Sequence, residues 1–338
     1  MSPPPGLGPH CVGQRVVVRR LLPGDTGPSG GPAMTDLLGV MESWTPPTTT
    51  VRAENGTVTE IALADIVSGK PVPPRPSTRM RVSAERACLL ANASWPAVHT
   101  EPLGDWLLRA SGGFSARANS VMAVGDPGVP FDETVARTVA FYEAHALPAW
   151  AQVVVGSATA ERFETAGWVT ARPGEADSQF RLASVAQASR AVRRLLPPSA
   201  PVARVGTTAT AAWLANDGRA LAHPEEARAV LEGPDHVGFV AVHDGDPVVA
   251  KGRVACHGDW AGITDVWVSP GNRRQGLALV VMAEMLEWSA ERGAGTAYLQ
   301  VRGDNAAGLA LYDALGFRTH HVYRYLAREA SSSSTPSP

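Results

Sequence analysis

The stretch from Thr264 to Ala278 is where this chain could hold an anion. Residues 264–270 read as a buried strand running into a turn, residues 271–276 as a loop, and a helix follows from Leu277. The first amides of a helix have no acceptor within it, and the positive end of the helix dipole lies beside them. Gly276 lets the backbone approach a phosphate closely, and Arg273 and Arg274 bring positive charge to the mouth. Neither G-K-[ST] nor G-x-G-x-x-G is present, so the NTPase loop and the dinucleotide fingerprint are both unmet. These residues predict a site for a pyrophosphate on a ligand other than a nucleoside triphosphate. The plainer alternative is an ordinary helix start with solvated arginines.

A second stretch, Asn305 to Phe317, puts a natural N-cap ahead of a helix that carries Leu309, Tyr312 and Leu315 on one stripe. Taken with the first, it carries a family resemblance. Arg273-x-x-Gly276-x-Ala278 is similar to the Q/R-x-x-G-x-G/A motif of the GNAT N-acetyltransferases, which bind acetyl-CoA. Val266-Trp267-Val268-Ser269-Pro270 resembles that family's fourth strand. Asn305 to Phe317 resembles its N-x-x-A/G-x-x-L-Y-x-x-L-G-F motif. The motif match covers about residues 262–318, and the wider pattern about 202–327.

The resemblance implies a role for each matching residue. Backbone groups of Val266, Trp267 and Val268 would hold the pantetheine and the thioester carbonyl, where fixed donors stabilise a developing oxyanion. Backbone amides of Arg274, Gln275, Gly276, Leu277, Ala278 and Leu279, with Arg273 at the mouth, would hold the pyrophosphate. Asn305 would bond the pantetheine arm. Tyr312 would protonate the departing thiolate. In one respect the chain departs from the pattern. Many members carry a Glu at the position of Gln300, and a Gln cannot act as a base. Asp265, His223, Glu225 and His257 are then the candidates to take the acceptor's proton, with Asp265 placed in the site beside Tyr312.

Elements that position these residues can be read around them. Residues 237–242, 248–255, 262–268, 296–301 and 322–326 read as strands, and residues 213–222, 277–292 and 306–315 as helices. An earlier segment, about 79–195, repeats the order of strand, long helix, strand and short helix, and ends in Gly167-Trp168 as the later one ends in Gly316-Phe317. Residues 113–120 resemble the first half of tandem GNAT proteins. Gly125-Asp126-Pro127-Gly128-Val129 stands where the Q/R-x-x-G-x-G/A motif would be, so this half is expected to be degenerate as a cofactor site. Residues 11–70 read as a small all-β unit whose hairpin is signalled by Asn55-Gly56. The order of its elements resembles SH3-like barrels found ahead of some acetyltransferases. The expected fold class is α/β with mixed sheets: tandem GNAT folds at 79–195 and 202–327 after a barrel at 11–70 and a Pro-rich linker at 71–78. Residues 1–10, the Gly/Pro-rich loop at 23–32 and the tail at 328–338 are expected to lack fixed structure.

Composition bounds what remains. The 338 residues suit two or three domains. Lys+Arg 30 against Asp+Glu 32 leaves a charge of −2, which argues against nucleic acid held mainly by charge. The three cysteines, Cys11, Cys88 and Cys256, are too far apart for a metal cluster or a disulfide framework, so no metal is expected and a reducing, cytoplasmic setting fits. No apolar run reaches the ~20 residues of a membrane span. The expected function is acetyl transfer from acetyl-CoA to a primary amine, on a small molecule or a peptide, by direct attack in a ternary complex. Two alternatives stand beside it: a mycothiol synthase-like acetylation of a cysteinyl amine, and an acyl-CoA-binding sensor whose barrel docks a protein partner.

Overall fold

The computed structural model describes residues 6–27, 30–53, 56–72 and 78–328. Two compact units divide the chain, Met1–Ser77 and Thr78–Pro338. Asn55, most of the expected linker and the tail beyond Arg328 lie outside the described residues.

The first unit is one antiparallel sheet built from β1 (Arg15–Thr26), β2 (Pro32–Thr45), β3 (Thr48–Ala53), β4 (Val58–Ala62) and β5 (Ile66–Pro71). Alternation in the sequence turns Val16 and Val18 inward with Met41, Val51 and Ile61 to form its core. The strand order is β4-β3-β2-β1-β5. Both end strands keep an unpaired edge among the described residues, so the expected barrel is not closed by strand pairing. Two other expectations are corrected here. Leu7 is buried in this core, so the unstructured N-terminal run does not extend through residue 7. β1 reaches Thr26, so residues 23–26 are strand, not loop.

The second unit begins with α1 (Ala84–Ala93), β6 (His99–Leu103), β7 (Trp106–Ala110), β8 (Val121–Met122), α2 (Phe131–Ala144), β9 (Trp150–Val154), α3 (Ala158–Thr165), β10 (Trp168–Thr170), β11 (Ser178–Ser184) and α4 (Val185–Leu195). It continues through β12 (Arg204–Gly206), α5 (Ala211–Leu214), α6 (Gly218–Ala222), α7 (Pro224–Glu232), β13 (Val237–His243), β14 (Val248–His257) and β15 (Trp260–Val268). The chain closes with α8 (Leu277–Glu291), β16 (Thr296–Arg302), α9 (Ala306–Ala314) and β17 (Arg318–Arg328). The single helix expected at 213–222 is two short ones, because Asp217 caps α6 by accepting from the amides of Arg219 and Ala220.

All strands of this unit join in one sheet, ordered β12-β13-β14-β15-β16-β11-β17-β9-β8-β7-β6, with β10 also on β17. The order is not the order of the chain. β11, from the segment 79–195, lies between β16 and β17 of the segment 202–327. β17 in turn pairs with β9 and β10 of the earlier segment. Each segment therefore closes the other's core. Ala183 of β11 packs with Val281 and Met285 of α8, and Leu326 of β17 packs with Trp106 and Phe163. α4 and α8 cover one face of the sheet formed by residues 202–327, whereas α1 and α5 to α7 pack on the other through separate clusters.

At the joint, Phe180 of β11 stacks on His321 of β17, with ring centroids 4.7 Å apart. His320 donates from Nε2 to the carbonyl of Val82 at 2.7 Å, which leaves its Nδ1 to accept from Nδ1 of His321 at 2.8 Å. Nε2 of His321 faces the Cys88 thiol at 3.7 Å. A single proton lies between the two Nδ1 atoms, so the two rings cannot both be charged. Burial, aided by His320, pushes His321 down to about 4. Unfolding raises that value to the free imidazole range, so the unfolded chain binds the extra proton between about pH 6.5 and 4 and stability falls as pH falls through that window. Denaturant titrations at pH 7 and 4.5 should show the unit losing about 2–3 kcal/mol more than the His321→Phe variant loses over the same interval. Equal losses would show that His321 does not carry this acid sensitivity.

Candidate functional site

β15 and β16 run parallel and pair only from Trp260 with Thr296 to Ile263 with Leu299. Beyond that point they part. On its other side β15 stays paired with β14 as far as Val268, so the edge of residues 264–268 that faces β16 is left open. A bulge causes the parting. Lys251 lies opposite Trp267 and Arg253 opposite Thr264, so Asp265 and Val266 together face Gly252 alone. Asp265 takes a left-handed φ of 54°, which Asp tolerates better than most residues. Gly252 is required for packing here, because a Cβ on it would lie 2.6 Å from Val281 Cγ1.

One cavity, of about 560 Å3, opens in the split on the side of α9. It brings together Asp265, Val266, Gln300, Asn305 and Tyr312. Asn305 caps α9 by accepting from the amide of Gly308 at 3.0 Å. Tyr312 is buried, its phenol pushed up to about 12 by burial and drawn back partly by Arg181. It therefore keeps its proton at neutral pH. Arg181 comes from β11, in the earlier segment of the chain. Its Nη2 bonds Asp313 and donates to the carbonyl of Phe317, while its Nε and Nη1 are buried without an acceptor.

Next to the split, β15 leads through Ser269 into α8. The side chains of Val266, Val268 and Leu279 pack toward the core, which leaves backbone as what this segment can offer a ligand. Arg274 and Gly276 are both left-handed, with φ of 65° and 80°. α8 has Gly276 as N-cap, no side-chain cap and no acid in its first turn. The first turn-closing bond runs from the amide of Leu279 to the carbonyl of Gly276. The amides of residues 274–278 have no backbone acceptor among the described residues. Arg273, Arg274 and Gln275 are exposed beside them. Such an arrangement fits an anion. Trp267, by contrast, turns to the other face, where the Lys251 ammonium lies 6.0 Å from its ring, so its side chain is no part of the cradle.

A second cavity, of about 260 Å3, meets the first from the opposite face and shares Thr264, Asp265, Gln300 and Arg302 with it. Asp265 Oδ1 accepts from Arg219 Nη2 at 3.1 Å, whereas its Oδ2 is buried with no donor. Gln300 Oε1 accepts from the Tyr323 hydroxyl at 2.9 Å. Behind them Arg253 is fully buried, donating to the carbonyls of Leu231 and Ser94, and burial pushes it down to about 10. Of the four candidates for proton removal, only Asp265 is at the split. Glu225 lines a different cavity with His99 and His145, His257 lines one at the far end of β14, and His223 caps α7 beside Gly113. The sequence reading leaves Arg117, Arg172, Arg219 and Arg302 unassigned, although Arg117 sits within the segment 113–120 that it singled out.

The segment 79–195 has no such opening at its similarly spaced glutamine. Gln152 on β9 stands five residues before the N-cap Ser157, as Gln300 on β16 stands five before the N-cap Asn305. Yet Gln152 is buried and accepts from Arg109 Nη2 at 2.7 Å. The guanidinium of Arg109 also bonds Ser120 and Asn92, filling the place with the protein's own groups. At the start of α2, Asp132 and Glu133 occupy the first turn and Asp126 Oδ1 accepts from the amide of Gly128 at 2.9 Å. An added anion would meet carboxylates there rather than free amides.

Comparison with known proteins agrees with this geometry. Residues 83–326 match the family model described as "Probable histone acetyltransferase Rv0428c C-terminal". Residues 10–70 match the one described as "Rv0428c N-terminal Sm-like domain", so the first unit is Sm-like where the sequence suggested SH3-like. The probable histone acetyltransferase Rv0428c of Mycobacterium tuberculosis is 29% identical over 96% of this chain and 97% of its own length. The uncharacterized N-acetyltransferase YobR of Bacillus subtilis is 26% identical over 70% of this chain and 95% of its own. A GCN5-related N-acetyltransferase from Kribbella flavida shares the fold, with a TM-score of 0.51 at 16% identity over 74% of this chain and 97% of that one.

The anion cradle can be tested without an assumed ligand. A β-branched residue at the left-handed Gly276 costs ~1–2 kcal/mol and turns the amides away. Gly276→Val should therefore weaken inorganic pyrophosphate, followed by calorimetry, by about tenfold or more. Unchanged affinity would show that these amides do not hold the anion.

Proposed function

The chain belongs to the Rv0428c family of GNAT-type acetyltransferases and is an acyltransferase, and from that premise we propose that it moves an acetyl group from acetyl-CoA to a primary amine by direct attack. The observation that carries this reading is the pair of cavities meeting at Asp265 and Gln300, beside a helix start whose amides are free. A donor entering on the α9 side and an acceptor entering from the opposite face would meet where β15 and β16 part.

Each residue then has a task set by its surroundings. Amides of residues 274–278 hold the pyrophosphate, with Arg273 and Arg274 at its edge. The open edge of β15 at Val266 and Val268 offers backbone groups to the pantetheine and the thioester carbonyl. Asn305, already the cap of α9, lies along the same cavity. Acetyl-CoA supplies the activated acyl group. Asp265 Oδ2, lacking any donor of its own, receives the acceptor ammonium and takes its proton, directly or through water. The amine nitrogen forms the new bond to the acyl carbon as the bond to sulfur breaks, and the Tyr312 hydroxyl donates its proton to that sulfur. The second proton that the nitrogen loses returns through water to the Tyr312 oxygen, while Asp265 releases the first to solvent. The earlier repeat serves as the other half of a tandem fold without a coenzyme site of its own.

Release of free thiol from acetyl-CoA with a panel of primary amines tests the reading, and absence of CoA binding at millimolar ligand would overturn it. Because burial holds the Tyr312 phenol protonated up to about pH 12, Tyr312→Phe should lower kcat by about 100-fold or more at any pH from 6 to 9. Acetyl-CoA affinity should change little, since the phenol is asked to act on the departing sulfur alone. Loss of binding with kcat preserved would assign Tyr312 to the pocket wall. Asp265→Asn tolerates the same left-handed backbone and removes the base. At pH 7 its kcat/KM for the amine should fall by about 100-fold or more, and it should recover as pH rises and the free amine replaces the ammonium. A variant with the wild-type pH profile would exclude Asp265 as the proton acceptor.

A further inference from the structure

On the reading that this chain is a direct-transfer acetyltransferase, we propose that its acceptor is a small amine that also bears an anionic group, and that Arg117 of the earlier repeat recognises that group. The acceptor-side cavity is lined by four arginines, Arg117, Arg172, Arg219 and Arg302, against one carboxylate, Asp265. Three of the four are already matched. Arg172 holds Glu175 at 3.2 Å. Arg219 holds Asp217 at 2.8 Å and Asp265 at 3.1 Å. Arg302 holds Asp304 at 3.0 Å and Glu175 at 3.2 Å. Arg117 has no ion pair among the described residues. It lies over the Trp95 ring at 4.9 Å, and its Nε is buried without an acceptor.

The cavity thus offers one unmatched cation and, at the split, one unmatched carboxylate oxygen, Asp265 Oδ2. A ligand that satisfies both carries a positive amine at one end and an anion at the other. A guanidinium withdrawn from water gains most from an oxyanion that it can bond through two N–H groups. A lysine-rich tail would instead add cations to a wall that already has one to spare. The cavity is small, about 260 Å3 against the roughly 300–1,000 Å3 of pockets for drug-sized ligands, and so suits a small amine.

Arg117 is also held in place. Asn119 Oδ1 accepts from the amides of Ser111 and Gly113 at 2.7 and 3.0 Å, and its Nδ2 donates to the carbonyl of Ser115 at 2.8 Å. Trp95 Nε1 donates to Ser115 Oγ at 3.1 Å and its ring stacks on Phe114. The loop that carries Arg117 is therefore clamped at both ends and beneath. The earlier repeat, closed as a coenzyme site, supplies specificity to the later one.

Matched amines test this with the full chain at pH 8. β-Alanine is set against β-alaninamide, 2-aminoethyl phosphate against ethanolamine, and a lysine-rich peptide stands as the cationic competitor. Thiol release measures transfer, and calorimetry on the CoA-saturated protein measures binding of amines that are not turned over. At least one anionic amine should be preferred over its neutral partner by about 10–100-fold. The two pairs distinguish a carboxylate from a phosphate ligand. Arg117→Gln should abolish that preference, Arg117→Lys should restore part of it, and acetyl-CoA affinity should stay as in the wild type. Preference for the neutral partners or for the peptide overturns the proposal. So does a panel in which no anionic amine binds or reacts, or an Arg117→Gln variant that keeps the preference. CoA binding with any of these results leaves the acetyltransferase reading standing, whereas failure to bind CoA removes both.

Discussion

Two parallel strands that stop pairing are the constraint on which this molecule turns. Backbone groups within a sheet must find partners, and an edge opened inside a protein is costly unless something fills it. Here β15 and β16 separate after Ile263 and Leu299, and the bulge at Asp265 and Val266 makes the separation a built feature rather than a frayed end. Surrounding packing holds it open. α8 is apolar on nearly all sides and lies against β14 and β15 through Val281, Met282 and Met285, all fully buried. α9 is pinned at its start by Asn305 and from beneath by Arg181. With both flanking helices fixed, the strands cannot close on each other, and the gap is available to a ligand.

Residues 202–327 do not achieve this alone. Their sheet is completed by β11, and Tyr312 has beneath it an arginine from that same strand. Residues 79–195 in turn borrow β17. Such an exchange joins the two segments more firmly than a surface contact would, because removing either exposes the core of both. Their openings differ all the same. Arg109 and Gln152 close the earlier opening with groups that bond each other, at no loss to the shared sheet. The corresponding Gln300 is held by Tyr323 from the side and stays in contact with solvent-filled space.

Local physics was legible in the residues. Hydrophobic runs and turn glycines locate most strands, Asn305 reads as the cap of its helix, and the residues around Arg273 and Gly276 read as a helix start that could hold an anion. What was hidden was what depends on distance along the chain. Nothing near Ser178 to Ser184 indicates that this strand inserts between two later ones. Ser178 and Ser184 look like ordinary strand ends, and register between remote strands leaves no local trace. For the same reason His223, Glu225 and His257 stand as candidates beside Asp265 on chemistry alone. Only the parting of the strands, and the left-handed turn at Asp265, brings one of them to the gap. Arg117 lies in a segment marked by its likeness to tandem proteins, but the cavity it lines is shared with residues between 219 and 325, which are remote from it in the chain.

Gln300 follows from the same geometry. A glutamate in its place would set a second carboxylate against the same cavities as Asp265, in a space partly withdrawn from water. Two like charges so placed repel each other. An amide avoids that conflict. It accepts from Tyr323 and keeps the polar lining, while Asp265 and Asp304, the carboxylates that line the split, each keep an arginine partner, Arg219 and Arg302. The residue that seems to subtract a base from the site spares the split a further negative charge.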